Sequence, residues 1–276
     1  MDTGDEDLWL SLRPLPGGPA RRDQRGRERD RRVHEHISRH REHGSRPSRR
    51  TGGLTRAQIV AAAITVADAE GTEAVSMRRI ARELRAGAMS LYWHVASKEE
   101  LHSLMLEAIQ AEAQAPGPSG DWRADLAAFA RNTRAALRRH PWAIDFLGNG
   151  PPSGPNEARN AERMLAALDA LGVDIVTGLR ITETVSTYVF GAALREIQEI
   201  RCERIIAEWK ATLTEAEIKE FVAEMAQKIR QSGRYPHILR IMEEDIDPDA
   251  PETRDERFEF GLTCVLDGIA ATLPAR

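Results

Sequence analysis

Apolar positions recur every three to four residues along this chain from about position 54 onward, which is the spacing of one buried helix face. Thr55 stands where a helix cap is needed, and Ile59, Ala63, Val66 and Ala67 follow as an inner stripe until Gly71 stops the run. Ser76 opens the next helix, with Ile80, Ala81 and Leu84 inside and Arg78, Arg79 and Arg82 pointing away. The pattern predicts a break near Arg85-Ala86-Gly87, because glycine tolerates a left-handed backbone and weakens a helix interior. Ala88, Leu91 and Val95 then share one face of a short helix. Met89, Ser90 and Trp93 point the other way, and Tyr92 and His94 lie on the flanks. Ser97 caps a longer helix with Glu99 and Glu100 in its first turn, where carboxylates suit the positive helix end. Leu101, Leu104, Met105, Ala108 and Ile109 form its inner side.

The turn-rich run from Ala115 to Gly120 marks a boundary. Beyond it, Trp122, Leu126, Phe129, Ala130, Thr133, Ala136 and Leu137 outline a long amphipathic helix that ends at His140-Pro141. A short helix, Trp142–Leu147, precedes the glycine and proline run at 148–152. The next helix spans about Asn156 to Leu171 and stops at Gly172. The longest periodic stretch runs from Asp174 to about Lys210, and its middle, Val185–Leu194, is apolar on nearly every side. Thr214 caps a further amphipathic helix toward Ile229, Ser232–Pro236 breaks it, and a last helix covers about 252–273. No strand pattern and no internal repeat is present, so the expected fold is all-α. The helices 174–210 and 252–273 carry more apolar surface than one chain covers, and a four-helix bundle in a homodimer would bury it.

Residues 1–52 change the picture. Arg, His, Pro and Gly dominate there, and too little apolar surface exists to offset ordering entropy, so a disordered extension is expected, basic from Arg21 to Arg50. It can add phosphate contacts or be a solvated tail. His34, His36, His40 and His43 lack supporting Cys or carboxylates, so no metal is expected. The net charge of −4 and pI near 6.1 confine any nucleic-acid binding to a local basic face. Two distant cysteines, Cys202 and Cys264, suggest buried or inert thiols in a reducing cytoplasm. No signal core or membrane-length apolar run is present, and no cofactor motif, nucleophile motif, phosphate loop or metalloprotease motif points to an enzyme.

Two short helices joined by a tight turn, the second with a polar and aromatic outer face, describe a helix-turn-helix whose second helix enters the DNA major groove. The wording S-L-Y-W-H-V-x-x-K, from Ser90 to Lys98, resembles the recognition helix of the tetracycline-repressor (TetR) family, and the likeness extends upstream through Thr55–Gly71 and Val75–Leu84. The resemblance implies a three-helix DNA-binding domain over 53–115 that docks on a palindromic operator in double-stranded DNA. By position, Arg78 matches a base-reading arginine, and Ser76, Ser90, Tyr92, Trp93, His94 and Lys98 fall among residues facing phosphates or base edges. Ala88 and Met89 occupy base-facing positions but offer only apolar contact, suited to thymine methyls. Arg85 stands where many relatives have glycine.

Residues 121–276 resemble the ligand-binding and dimerisation domain of tetracycline-repressor-like proteins through W-R-A-D-L, R-H-P-W and the stretch ending G-A-A-L. The resemblance implies a small-molecule pocket between helices. An effector there pivots the helix that starts at Ser97, which reaches both domains through Leu104, Ala108 and Ala111. The tetracycline repressor itself holds a drug-bound Mg²⁺. Its metal-binding His, its drug-contacting Asn and Phe, and its metal-linked Glu correspond here to Leu147, Phe129, Thr133 and Arg195, so that chemistry is not expected. The expected effector is uncharged or weakly polar, lined by Phe129, Thr133, Leu137, Trp142, Phe146, Leu147 and Tyr188. The resemblance favours a repressor; a transcriptional activator and a helical scaffold without sequence-specific DNA binding remain open alternatives.

Overall fold

The computed structural model describes residues 53–114, 117–146 and 154–273. The extension 1–52 with its histidines, Leu147 and the run 148–152 lie outside the described residues. Those described form ten α-helices and no strand: α1 (Arg56–Glu70), α2 (Met77–Glu83), α3 (Ala88–Tyr92), α4 (Lys98–Glu112), α5 (Trp122–Arg139), α6 (Pro155–Ala167), α7 (Ile175–Lys210), α8 (Glu215–Ser232), α9 (Pro236–Glu243) and α10 (Arg254–Thr272). Among the described residues no helix is long and apolar enough to cross a membrane.

Local chemistry sets these boundaries. Thr55 and Gln58 form a reciprocal capping box at α1, and Thr214 and Glu217 form another at α8. Gly71 ends α1 at φ 83°, a backbone that side-chain-bearing residues avoid. Asp121 caps α5 through the amides of Arg123 and Ala124. Two expected helices tighten at their ends. Pro141–Asp145 and Asp169–Leu171 are 3-10 turns rather than continuing α-helix, so α6 stops at Ala167, before the left-handed Gly172. The short α9, between Gly233 and Pro248, has no counterpart in the sequence-based expectation.

Contacts divide the described residues into two compact units, Gln198–Asp255 and the rest. Within the larger unit one apolar cluster starts at Ile59, Ile80, Leu91 and Val95, passes through Leu101, Met105 and Ile109 of α4, and continues into Leu137, Trp142 and Ala143. A second cluster joins Leu126 and Phe129 of α5 to Met164 of α6, Val185 and Val189 of α7, and Leu262 and Leu266 of α10. Each fully buried Leu, Ile or Met contributes about 1.5–3 kcal/mol relative to exposure. α4 therefore shares one continuous core with the helices on both sides of it. Ala113, not Ala111, is its buried residue near the C-terminus.

Within one chain α7 is not covered all round. Val185, Val189 and Ala193 are buried, while Leu179 and Leu194 stay open, and Phe260 on α10 is 73% exposed. Both cysteines are free; of the expected buried or inert thiols neither is buried, since Cys202 on α7 and Cys264 on α10 are exposed. In the smaller unit, Trp209 packs edge-on against Phe221, and Arg254 pairs with Glu199 and Glu203.

Candidate functional site

α2 starts where Ser76 accepts the amide of Arg79 at 3.2 Å. It ends in a paired backbone closure: Arg85 N–H donates to the Arg82 carbonyl (3.2 Å) and Ala86 N–H to that of Ala81 (2.8 Å). That closure demands a left-handed residue one step past the helix cap, and Arg85 occupies it at φ 50°. The glycine-based expectation is corrected here, since Gly87 has φ −77° and simply starts α3 in extended backbone. The left-handed arginine costs about 1–2 kcal/mol, offset by the complete burial of Ile80, Leu91 and Val95 around the turn.

Burial of Leu91 and Val95 turns the opposite face of α3 outward, so Met89 is 54% and Trp93 61% exposed. Ala88, Ser90, Tyr92, His94 and Lys98 are half-buried, and Ser76 and Arg78 are exposed. The Ser90 hydroxyl donates to the Gly87 carbonyl at 2.5 Å and so also braces the start of α3. Among the described residues Arg78, Arg82, Arg85 and Lys98 form no salt bridge, although Arg82 is near enough to Glu70, and Lys98 to Glu99, to help hold those carboxyls down. Arg79 differs from its neighbours and from expectation. It is held by Glu70 (2.6 Å) and Glu83 (2.7 Å), and its hydrogen bond keeps the Glu70 carboxyl below the usual carboxylate range.

Sequence reasoning missed the group that holds this face in place. Arg56, at the start of α1, donates to the His94 carbonyl (2.9 Å) and to Glu100 (2.7 Å), whose other oxygen accepts the Ala96 amide (2.6 Å). The end of the α3 segment is thus clamped between α1 and α4. Glu100 reads in sequence only as a first-turn carboxylate suited to the positive helix end, and nothing local marks Arg56 as its partner. Arg82 and Arg85 carried a visible signal, being cations on the same outer face as Arg78.

A second junction ties α1 to the chain after α5. One oxygen of Asp68 accepts the Trp142 indole N–H at 2.7 Å and lies 2.8 Å from His140 Nδ1. His140 Nε2 lies 3.3 Å from Glu112 of α4, which also pairs with Arg139 at 2.8 Å. Phe146 stacks near His102 of α4 at 4.7 Å between ring centroids. Burial, followed by the nearby Lys98 charge, holds the His102 imidazole below its ordinary value. A third set of bonds joins α4 and the residue pair after it to α6: Asn156 N–H donates to Glu107, Asn160 to Gln110, and Arg163 to Gln114 just past the end of α4.

Two clefts open beside α5. The first, about 290 Å³ to its solvent mouth, is walled by Leu106, Ile109, Gln110 and Ala113 of α4, with Thr133, Ala136 and Leu137 of α5 opposite and Ala143 and Phe190 closing it. The second, narrower and about 220 Å³ only when the open solvent at its mouth is included, lies among Pro118, Asp125, Leu126 and Phe129 on one side and Arg163, Met164 and Ala167 of α6 on the other. Of the expected pocket residues, Thr133 and Leu137 line the first cleft and Phe129 the second. Trp142 and Phe146 belong to the junction with α1 and α4. Tyr188 is turned away, donating to the Phe258 carbonyl at 2.6 Å, and burial pushes its phenol up. The structure therefore does not gather these residues into a single chamber. Among the described residues no group of three or more His, Cys, Asp or Glu could hold a metal ion.

Comparison with known proteins adds to this geometry. Residues 59–104 match the family model described as bacterial regulatory proteins, tetR family, and residues 115–273 match that described as tetracyclin repressor-like, C-terminal domain. The HTH-type transcriptional repressor DrrR1 of Streptomyces coeruleorubidus is 37% identical over 236 residues, covering 84% of each chain. The class E tetracycline repressor protein of Escherichia coli is 32% identical over 142 residues, half of this chain and 66% of that one. The crystal structure of the Streptomyces coelicolor TetR family protein ActR in complex with actinorhodin superposes with a TM-score of 0.63 at 26% identity, covering 81% of this chain and 98% of that one.

Proposed function

This chain belongs to the TetR family of bacterial regulatory proteins, and from that premise we propose that it is a transcriptional repressor released from its operator by a small organic effector. The domain at 53–115 binds a palindromic site in double-stranded DNA, with one copy of α3 in each half-site's major groove. The domain at 121–276 holds the effector and pairs two chains through α7 and α10. The observation that carries this reading is the outer face of α2 and α3. Met89 and Trp93 of α3 are exposed, and Arg78, Arg82, Arg85 and Lys98 on α2, the turn and the start of α4 form no salt bridge among the described residues, while Arg56 and Arg79, which could compete for phosphate, are spent on structure. Arg78 reads a base, Lys98, Tyr92 and Ser90 position the backbone, and Met89 and Ala88 meet thymine methyls. The open apolar residues of α7 and α10, Leu179, Leu194 and Phe260 among them, support the homodimer.

Induction follows from α4. An effector shifts an equilibrium only by its differential affinity for the two states. α4 forms a wall of the larger cleft, shares its core with α3, and carries Lys98 at its first turn, so a ligand that widens the cleft moves the DNA-reading face directly. The effector is organic and needs no divalent metal. The protein acts in the cytoplasm and has no catalytic role. The test is titration of the protein–operator complex with candidate apolar compounds, with and without EDTA. Release that is indifferent to EDTA supports the reading. Release by tetracycline that requires Mg²⁺ and vanishes in EDTA contradicts it.

A further inference from the structure

The larger cleft holds one polar group that the protein itself does not use. Thr133 is 6% exposed, and its hydroxyl oxygen is fully buried with no hydrogen-bond partner. It lies in the wall that α5 presents to Leu106, Ile109 and Ala113 of α4, to Leu137 beside it and to Phe190 across from it. A hydroxyl left unpaired in an apolar site is unfavourable, and native proteins keep few of them without a reason. The other polar side chain of the wall is Gln110, whose carbonyl oxygen accepts from Asn160 at 3.1 Å, which leaves its N–H₂ as a donor. No charged side chain lines the cleft, so a carboxylate or ammonium entering it would lose its hydration with nothing to replace it.

We infer that Thr133 is the specificity-determining residue of the effector site, and that the effector class is an uncharged, mostly apolar molecule carrying an oxygen that hydrogen-bonds the Thr133 hydroxyl. This rests on the reading of the second domain as the effector domain and adds the chemical class. The hydroxyl is unpaired before binding, so a ligand lacking the oxygen loses only the net worth of one hydrogen bond. That corresponds to about three- to tenfold in affinity. A charged analogue is excluded much more strongly.

The experiment uses three probes of one shape on the full-length protein without DNA, read by calorimetry and saturation-transfer NMR: 2-naphthol, 2-methylnaphthalene and 2-naphthoate. The wild type should bind 2-naphthol about three- to tenfold tighter than 2-methylnaphthalene, and 2-naphthoate weakest of all. In Thr133→Val the two neutral probes should bind alike, and Thr133→Ser should restore the preference. A preference that survives Thr133→Val overturns the inference, as does tight binding of 2-naphthoate or no binding of either neutral probe to the wild type. If Thr133→Val fails to fold, Thr133→Ala, which also removes the hydroxyl, takes its place: the two neutral probes should bind it alike, and a surviving preference for 2-naphthol overturns the inference. Operator binding is measured separately by gel shift, so failure of the DNA-binding reading is distinguishable from failure of this one.

Discussion

Replacing Asp68 with alanine tests the junction between α1 and the start of the second domain. A single Asp68 oxygen meets Trp142 Nε1 at 2.7 Å and His140 Nδ1 at 2.8 Å, and both partners are more than nine-tenths buried. Removing the carboxylate leaves two buried nitrogens unpaired, at about 1–3 kcal/mol for each such group. The Asp68 side chain is 32% exposed, so water can enter part of the vacated space, and the expected total is at the low end, about 2 kcal/mol. At roughly 2–4 °C per kcal/mol for a chain of this size, the melting temperature should fall by about 4–8 °C. Trp142→Phe removes one donor and leaves Asp68 bound to His140, so it should cost about 1 kcal/mol. The two losses share one bond, and the double variant should fall short of their sum by about 1 kcal/mol in urea titrations. The same junction is a grip of the second domain on α1, so Asp68→Ala should also need more effector to release the same fraction of operator. Strict additivity of the two substitutions, with a melting shift under about 1 °C for Asp68→Ala, would refute the reasoning.

Other expectations follow from single features. Arg85→Gly relieves the left-handed backbone at φ 50° but adds unfolded-state entropy, so it should raise stability by about 0.5–1 kcal/mol; thermal melts showing destabilisation count against the strain. Arg56→Ala, although its charge is paired to Glu100, should lower operator affinity by loosening the α3 segment, with its melting temperature little changed; unchanged affinity in fluorescence anisotropy speaks against the clamp. His102 has a lowered pKa, so the unfolded chain takes the proton first, and stability falls as pH drops through about 6.5 toward the folded value. Melts of His102→Gln at pH 7.5 and 5.5 should show a smaller loss than the wild type, and an equal loss contradicts the assignment.

The helices were legible in sequence because each depends on near neighbours. The caps at Thr55, Ser76, Ser97 and Thr214, and the stripes of α1, α4 and α5, follow from spacing and hydroxyl placement. The left-handed turn residue was misplaced onto Gly87 because composition favours glycine, whereas the register of two backbone bonds decides the position. Arg56, Glu100 and Asp68 were illegible for another reason: their partners lie 38–74 residues away, and only the folded chain brings them together. Trp142 and Tyr188 looked like pocket aromatics from size alone, but each spends its polar atom on a distant acceptor, Asp68 or the Phe258 carbonyl.

The most direct test of the account is binding of wild type and Arg78→Ala to the promoter next to its own gene and to a scrambled duplex, across a series of salt concentrations. The wild type should prefer the promoter, protect a palindromic footprint, and weaken steeply with salt. Arg78→Ala should lose about 1–3 kcal/mol on the promoter and relax its preference at one base position in each half-site, with little change on scrambled DNA. Equal affinity of both proteins for promoter and scrambled DNA would contradict the claim that the face of α2 and α3 reads sequence.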